Sequence, residues 1–190
     1  MATTGDMNPQ AIAEAFRELS LLREEVRYLR DRQDILDTLM RYARALDRHD
    51  WDLLCNEVFF PDGLVDLGPM MGPASELAAF SEARGREQVM AQSHVVTNHL
   101  CEIEGNVAHA ETYVTTYLLM KDGKHVRSTH ARYIDRLEKR DGRWKIALRR
   151  VVRDAVTQVE VVGEPKPQST RDRTDLSYER PLQVPRDRKA

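Results

Sequence analysis

The chain has 190 residues, of which 41% are hydrophobic and 32% are charged, and its formal net charge is −2. This length and apolar content suit one globular domain with additional segments, and the charge balance gives no indication of a nucleic acid or an anionic membrane as a partner. Cys55 and Cys101 have neither CxxC nor Cys/His metal spacing, which is typical of reduced cysteines. We therefore expect a cytoplasmic protein without a signal peptide or a membrane-spanning segment.

The first part of the chain is predicted to be helical. Residues 1–8 are polar and expected to be disordered, and from residue 9 apolar residues recur at intervals of three and four. A bend or break is expected at residues 31–34, before a second helical run that reaches Leu46. Two heptads are too few for a coiled coil, so an amphipathic helix packed on its own domain or on a neighbouring subunit is favoured. The residues of this partial heptad seam are Leu19, Leu22, Val26 and Leu29.

Between the helical runs and the strands, the sequence predicts short elements. Asp50 is a good N-cap for a helix over residues 51–58, and a brief strand is expected at 64–67. The following loop, 68–73, contains Met70 and Met71, which could line an adaptable apolar pocket or belong to a plain connector. Ser75 is expected to cap a third helix that includes Phe80.

After Met90 the apolar period changes from about 3.6 to 2, which indicates strands. Four runs are predicted at residues 93–103, 107–120, 125–137 and 144–162, with hairpin signals at residues 122–123 and 141–142. Helices followed by a meander predict an α+β domain over residues 9–162, with N-terminal helices packed on a curved antiparallel sheet. Residues 163–190 are rich in proline and charge and predict a tail that is disordered or draped over a neighbour.

One helical stretch, residues 41–50, carries the first candidate functional residues. Tyr42 and Asp47 are five residues apart, so their side chains lie about 140° apart around a helix axis. Asp47 is close to the end of the helix, where the helix dipole disfavours a carboxylate. Asp47 is therefore solvated, caps the following segment, or is placed for function.

Three segments carry a family resemblance. In residues 34–54, Tyr42 and Asp47 are separated by four residues at the end of a predicted helix, and a short predicted helix follows from Trp51. Residues 94–98 read His-Val-Val-Thr-Asn, and residues 141–146 read Asp-Gly-Arg-Trp-Lys-Ile. Over roughly residues 30–160 the chain resembles the SnoaL-like branch of the NTF2-like (nuclear transport factor 2-like) superfamily, which implies a cone-shaped α+β barrel.

The resemblance also implies chemistry. Members that keep an Asp–His pair include scytalone dehydratase, hexachlorocyclohexane dehydrochlorinase and bile-acid 7α-dehydratase, and the last shares the Tyr–Asp spacing. Arg149 falls where relatives of the dehydrochlorinase carry a catalytic arginine. The dehydrochlorinase has a lysine at the position of Tyr42, which weighs against dehydrohalogenation and favours an oxygen-based or carbon-based leaving group.

Each candidate has a chemical role and a simpler alternative. His94 is the natural base, Asp47 would orient its ring, Tyr42 could donate a proton, and Arg149 could hold developing negative charge. Alternatively, His94 is structural, Tyr42 is a core tyrosine, Asp47 is a cap, and Arg150 and Arg153 compete with Arg149. No metal or organic cofactor is required by this set. Substrate contacts are also expected from Met70, Met71, Phe80, Asn98 and His130.

The histidines near His94 give no indication of a metal site. Strand alternation places His99 on the face opposite His94, so the two could not chelate one ion. His130 shares a predicted face with Ser128 and Arg132 and could be a second cavity residue.

These features predict a cofactor-independent lyase acting on a hydroxylated, apolar, aromatic or polycyclic small molecule, as in aromatic compound catabolism. Loss of water and retro-aldol-type carbon–carbon cleavage both suit the residue set. The alternatives are an isomerase or polyketide cyclase of the same fold, and a non-catalytic assembly subunit resembling the β-subunits of ring-hydroxylating dioxygenases. The dehydratase-like relatives imply a homo-oligomer, with a trimer favoured.

Overall fold

The computed structural model describes residues 8–183, apart from the side chains of Arg84 and Arg86. Residues 1–7 of the N-terminus predicted to be disordered, and residues 184–190 of the predicted tail, lie outside the described residues. The helices are α1 (Pro9–Arg48), α2 (Trp51–Leu53, continued by the π-helical turn Leu54–Val58) and α3 (Leu77–Gln88). The strands are β1 (Phe59–Asp66), β2 (Met71–Pro73), β3 (Val89–Glu104), β4 (Val107–Met120), β5 (His125–Arg140) and β6 (Arg143–Glu160), with 3-10 turns at Ala74–Glu76 and Leu176–Tyr178.

Helix α1 is a single helix of 40 residues, so the break expected at residues 31–34 is wrong. The polar residues that suggested a break find partners on the sheet instead. Asp31 accepts a hydrogen bond from Lys139 Nζ at 2.6 Å, and Arg32 donates to the Cys101 carbonyl at 3.0 Å. Beyond them the apolar residues of α1 enter the core, whereas Phe16 near its start is 66% exposed.

The expected N-cap at Asp50 is confirmed, because its Oδ1 accepts a hydrogen bond from the Leu53 N–H at 3.2 Å. The cap expected at Ser75 is wrong. Helix α3 continues from a 3-10 turn and begins without a side-chain cap.

The α+β class is confirmed, but the sheet is mixed rather than antiparallel. Its order is β2-β1-β6-β5-β4-β3, with β1 parallel to β6 and the other neighbours antiparallel. After β1 the chain crosses through α3 to the far edge at β3, and the meander then brings β6 back beside β1. The curved sheet wraps around the second half of α1, and within the described residues its edge strands β2 and β3 do not meet.

A register shift between Val96 and His99 reverses the alternation of β3. His94 pairs with Thr116 and His99 with Thr112, both on the face of β4 that is turned inward. His99 therefore shares the concave face with His94, and the prediction of opposite faces is wrong. Its Nδ1 lies 2.8 Å from the Thr112 hydroxyl oxygen.

On the opposite, convex face of the sheet several apolar side chains are exposed to solvent. The homotrimer that the family resemblance implies stays a prediction. Exposed residues of this face include Val95, Tyr113, Tyr117, Ile134 and Val152. No helix in the described part of the chain is long and apolar enough to cross a membrane.

The C-terminal segment, residues 163–183, differs from the expected disordered or draped tail because it packs on its own domain. The Tyr178 hydroxyl donates to Asp50 Oδ2 at 2.7 Å, and Arg173 donates to Asp50 Oδ1 at 3.0 Å. Asp175 is 7% exposed and forms an ion pair with Arg48 at 3.0 Å. These contacts fix the segment against the end of α1.

Candidate active site

A cavity of about 190 Å³ lies between the concave face of the sheet, the end of α1, α3 and the loop between β1 and β2. Most of its surface is apolar, and polar side chains are distributed around it, as is typical of sites for small molecules. The polar side chains are Tyr42, Ser81, Gln92, His94, Thr116, Arg127, Thr129, Tyr133 and Arg153.

Asp47 and His94 meet at this cavity. His94 Nδ1 lies 2.6 Å from Asp47 Oδ1, and the His94 backbone N–H donates to Asp47 Oδ2 at 2.9 Å. Their side chains are 10% and 13% exposed for His94 and Asp47 respectively, so solvent competes little for the pair. The capping alternative for Asp47 is excluded, because its carboxylate is directed to β3 and Asp50 performs the capping.

The local backbone explains why the last turn of α1 presents Asp47 to β3. His49 adopts a left-handed conformation with φ 49° and ends the helix, its N–H bonding to the Ala45 carbonyl. Gln92, two residues before His94, donates from its amide to the Leu46 carbonyl and so bonds β3 directly to the last turn. The helix end and the strand are thus held together at the dyad.

The geometry of the dyad determines which ring nitrogen is free. An ionised carboxylate can only accept hydrogen bonds, so in the neutral form of His94, Nδ1 carries the proton and Nε2 keeps a lone pair. His94 lines the cavity, so this lone pair can act on a bound molecule.

Tyr42 stands beside the dyad and keeps its proton. Its ring is edge-on to His94, with centroids 6.5 Å apart, and edge-on to Tyr133 at 5.4 Å. Burial raises the pKa of Tyr42, and the charge of Arg149 acts in the opposite direction without cancelling the effect. Burial and the neighbouring Tyr42 raise the pKa of Tyr133 well above its ordinary value. Both hydroxyls are therefore hydrogen-bond donors at neutral pH.

Arg149 lies behind the two tyrosines and not in the cavity wall. It is fully buried and binds Asp135 through two hydrogen bonds of 2.7 Å. Its guanidinium carbon is 3.9 Å from the centroid of each tyrosine ring, Tyr42 and Tyr133. Burial alone would lower the pKa of Arg149, but Asp135 raises it, so the side chain remains charged. The sequence predicted that Arg149 contacts developing charge on a substrate, but the side chain does not line the cavity. Arg149 instead supports Tyr42 from behind.

The residues expected to contact substrate do not form the cavity wall. Met71 is 80% exposed, and Met70 and Phe80 pack against the core while Pro69 and Leu77 reach the cavity. Asn98 lies in solvent because of the register shift after Val96. His130 is on the opposite face of β5, with its Nδ1 3.3 Å from the Thr115 hydroxyl oxygen.

The face of β5 that lines the cavity carries Arg127, Thr129, Ala131 and Tyr133 instead. Sequence reasoning missed these residues because it placed the alternation of β5 one residue out of phase, through Ser128, His130 and Arg132. The buried apolar positions Ala131, Tyr133 and Leu137 have the correct phase and were the available signal.

The C-terminal segment reaches the edge of the site through Arg171, which sequence reasoning also missed. Its guanidinium donates to the carbonyls of Gly85 at 3.0 Å and Val89 at 3.2 Å, and to Gln92 Oε1 at 3.1 Å. Burial lowers the pKa of Arg171, while the charge of Asp47 opposes that effect. The segment thus places a cation near the carboxylate of the dyad.

Among the side chains that the structure describes, no three His, Cys, Asp or Glu residues form a cluster suited to a metal ion. The ionisable side chains that line the cavity are one imidazole, two phenols and two guanidiniums.

The family model of the SnoaL-like domain matches residues 27–150, well over half of the chain. The chain belongs to the SnoaL-like domain family. The matched region contains α1 from Arg27 onward and the sheet as far as Arg150, and it includes Tyr42, Asp47 and His94.

Solved structures have the same fold as this SnoaL-like chain. The hexachlorocyclohexane dehydrochlorinase LinA-type3 from Novosphingobium barchaimii LL02 is 18% identical with a TM-score of 0.67, over 75% of this chain and 99% of that one. A candidate scytalone dehydratase from Novosphingobium aromaticivorans DSM 12444 is 20% identical with a TM-score of 0.62, over 72% and 93%. The Kfla4162 protein from Kribbella flavida is 19% identical with a TM-score of 0.61, over 68% and 95%. No curated protein sequence matches the chain.

These likenesses confirm the NTF2-like cone expected from the sequence, with the sheet open within the described residues. At such identities they carry the fold alone. The SnoaL-like protein's own side chains must carry any argument about its chemistry.

Proposed function

We propose that this SnoaL-like protein is a cofactor-independent lyase that removes a proton and a leaving group from a hydroxylated small molecule. The observation that carries the proposal is the Asp47–His94 dyad in the cavity wall, with 2.6 Å between Oδ1 and Nδ1.

The reaction begins at His94 Nε2, which takes a proton from a carbon or a hydroxyl group of the substrate. The imidazolium that forms is stabilised by Asp47, whose carboxylate is held in place by the His94 backbone N–H. If the proton comes from carbon, the electron pair of the broken C–H bond forms a double bond and the neighbouring C–O bond breaks. If it comes from a hydroxyl group, a carbonyl forms and the adjacent C–C bond breaks.

Tyr42 supplies the second proton. Its raised pKa keeps the phenol protonated, so it can donate to a departing hydroxyl, which leaves as water, or to the carbanion left by C–C cleavage. Arg149, held by Asp135, then opposes the accumulation of negative charge on the phenol oxygen from behind the ring. The dyad and Tyr42 together provide the base and the acid that an elimination needs.

The volume of the cavity limits the size of the substrate. An engineered cavity of about 150 Å³ accommodates benzene, so the space of about 190 Å³ suits a body of about one ring rather than a polycyclic one. Apolar wall residues such as Leu46, Leu77 and Val114 would contact that body.

The test is turnover of hydroxylated single-ring compounds, followed by mass spectrometry of the products. We expect His94→Gln to lower kcat/KM by about 10²- to 10⁴-fold, the usual contribution of a general base. His109→Gln is the matched control, because His109 is an exposed histidine on the neighbouring strand β4. Unchanged turnover in His94→Gln would refute the role of the dyad.

The same assay separates the alternative of an isomerase or cyclase. A lyase yields two products of lower mass, whereas an isomerase yields one product of unchanged mass. A non-catalytic assembly subunit would turn over none of the compounds and would not need an imidazole with an oriented lone pair in a cavity.

A further inference from the structure

Two arginines line the same cavity as His94 of the Asp47–His94 dyad. Arg127 on β5 is half-buried and Arg153 on β6 is exposed, and both contribute to the wall. Both side chains lie on the face of the sheet that lines the cavity. Arg127 lies in phase with Thr129, Ala131 and Tyr133, which face the interior.

The two charges are not neutralised within the cavity. Among the described residues that line it, none is an Asp or a Glu. Three acids of the surrounding elements bind other partners: Asp47 binds His94, Asp135 binds Arg149, and Asp154 lies 3.5 Å from Arg132 on the convex face. Arg153 Nη2 donates to the Leu67 carbonyl in a long contact of 3.4 Å, which positions the guanidinium without removing its charge.

The register of the sheet places these cations in the two inward-facing rows that flank the row of the base, and both lie on strands away from β3. His94 shares a row with Thr116 and Thr129, and Arg127 pairs one row away with Leu118. Arg153 pairs with Ala131, in the adjacent row on the other side, and belongs to the strand three places from β3. Because the sheet is curved, β6 forms the wall across the cavity from His94. A molecule between these walls would meet the base at one end and a guanidinium at the other.

We propose that the cavity recognises a substrate with a carboxylate, bound by Arg153 and Arg127, which positions the reactive carbon at His94. The placement of the reactive carbon at His94 rests on the proposed function. The binding of the carboxylate by the two arginines does not depend on turnover. Guanidinium groups bind carboxylates through paired hydrogen bonds, and two unneutralised cations in a largely apolar site favour an anionic ligand over a neutral one. The cavity volume limits that ligand to about one ring with a short acidic side chain.

The experiment measures equilibrium binding of three probes to the full-length protein by calorimetry or ligand-observed NMR. Phenylacetate carries the carboxylate, phenylacetamide is its neutral counterpart of similar shape, and phenylphosphonate is a larger oxyanion. We expect phenylacetate to bind about tenfold or more tightly than phenylacetamide, and this preference to fall as salt screens the charges.

Substitutions then assign the preference. Arg153→Gln and Arg127→Gln should each weaken phenylacetate about tenfold and leave phenylacetamide unchanged, whereas Arg153→Lys should retain part of the preference. Arg136→Gln is the control, because Arg136 is an exposed arginine of β5 that pairs with Glu138 outside the cavity. Its probe binding should equal that of the wild type.

Three results would overturn the inference: equal binding of the acid and the amide, a carboxylate preference that survives both glutamine variants, or phenylphosphonate binding more tightly than phenylacetate. The first two results would show that the two arginines do not form an anion site. The third would show that the site prefers a phosphate-type group to a carboxylate. His94→Gln should keep the carboxylate preference, because that residue is not part of the anion site. A loss of turnover in His94→Gln without any carboxylate preference in the wild type would therefore support the lyase and reject the anion site.

Discussion

Asp47→Asn is the most informative single change, because an amide cannot reproduce both hydrogen bonds of the carboxylate. Asp47 accepts one from the His94 backbone N–H and one from the His94 ring. The backbone N–H can only donate, so the oxygen of the asparagine must stay with it. The amide NH₂ then faces Nδ1 and donates to it, which moves the ring proton to Nε2. The substitution is nearly isosteric, yet it removes the lone pair that faces the cavity.

Two effects of this change can be sized from the structure. A hydrogen bond to a charged group contributes about 1.5–3 kcal/mol and a neutral one about 0.5–1.5 kcal/mol, so weakening two bonds in a nearly dry site costs about 2 kcal/mol. For a protein of this length that lowers Tm by about 4–8 °C. With the base in the wrong tautomer, kcat/KM should fall about 10²- to 10⁴-fold.

The assay is long-range ¹H–¹⁵N correlation of the histidine rings, which reports the tautomer without a substrate, together with thermal unfolding. Asp122→Asn is a matched control, since Asp122 binds the His125 ring at 2.6 Å and its backbone N–H at 3.2 Å in an exposed turn. It should leave the His94 signals, turnover and Tm close to those of the wild type. A His94 ring that keeps its proton on Nδ1 in Asp47→Asn would refute the reasoning.

The remaining predictions concern the supports of the site. Asp135→Asn should lower the free energy of unfolding by about 3–5 kcal/mol in urea denaturation, because it leaves Arg149 charged and buried without its partner. Exposed Asp62→Asn is the control, and equal stability of the two variants would contradict this account. Burial alone would raise the pKa of Asp175, but hydrogen bonds from Ser177 and Thr170 and the charge of Arg48 lower it to about 2. The folded-state pKa is below the unfolded value of about 3.9, so this stabilisation is complete above pH 4 and is lost as pH falls towards 2. Asp175→Asn should therefore show a smaller loss of Tm than the wild type between pH 4 and 2, and identical profiles would refute the assignment.

The α+β class, the meander of strands and the N-cap at Asp50 could be predicted from the sequence because they depend on local signals. A period of 3.6 or 2, a short polar cap and Asp-Gly turns act within a few residues. Asp141 and Gly142, for example, have positive φ values of 51° and 75° at the predicted hairpin. The Tyr42–Asp47–His94 set was reached through the family motif, and the structure brings those three residues together.

Other features could not be read locally. The parallel pairing of β1 with β6 depends on where the crossover through α3 leads, and helix α1 remains unbroken because distant groups on β3 and β5 satisfy its polar residues. The shift after Val96 adds a residue to β3 and turns His99 inward, which strict alternation cannot predict.

The sequence by itself determined the chemistry that is available: an acid near the end of a helix, a tyrosine five residues before it, and a histidine on a strand. Tertiary structure decided how each residue is used. The carboxylate of Asp47 reaches His94 because the end of α1 packs on β3, and Arg149 lies behind Tyr42 because Asp135 holds it in the core. Arg127 and Arg153 face the cavity because the phases of β5 and β6 turn them inward. Bond geometry acts over a few residues, whereas the direction of a side chain in a curved sheet depends on register across the whole fold.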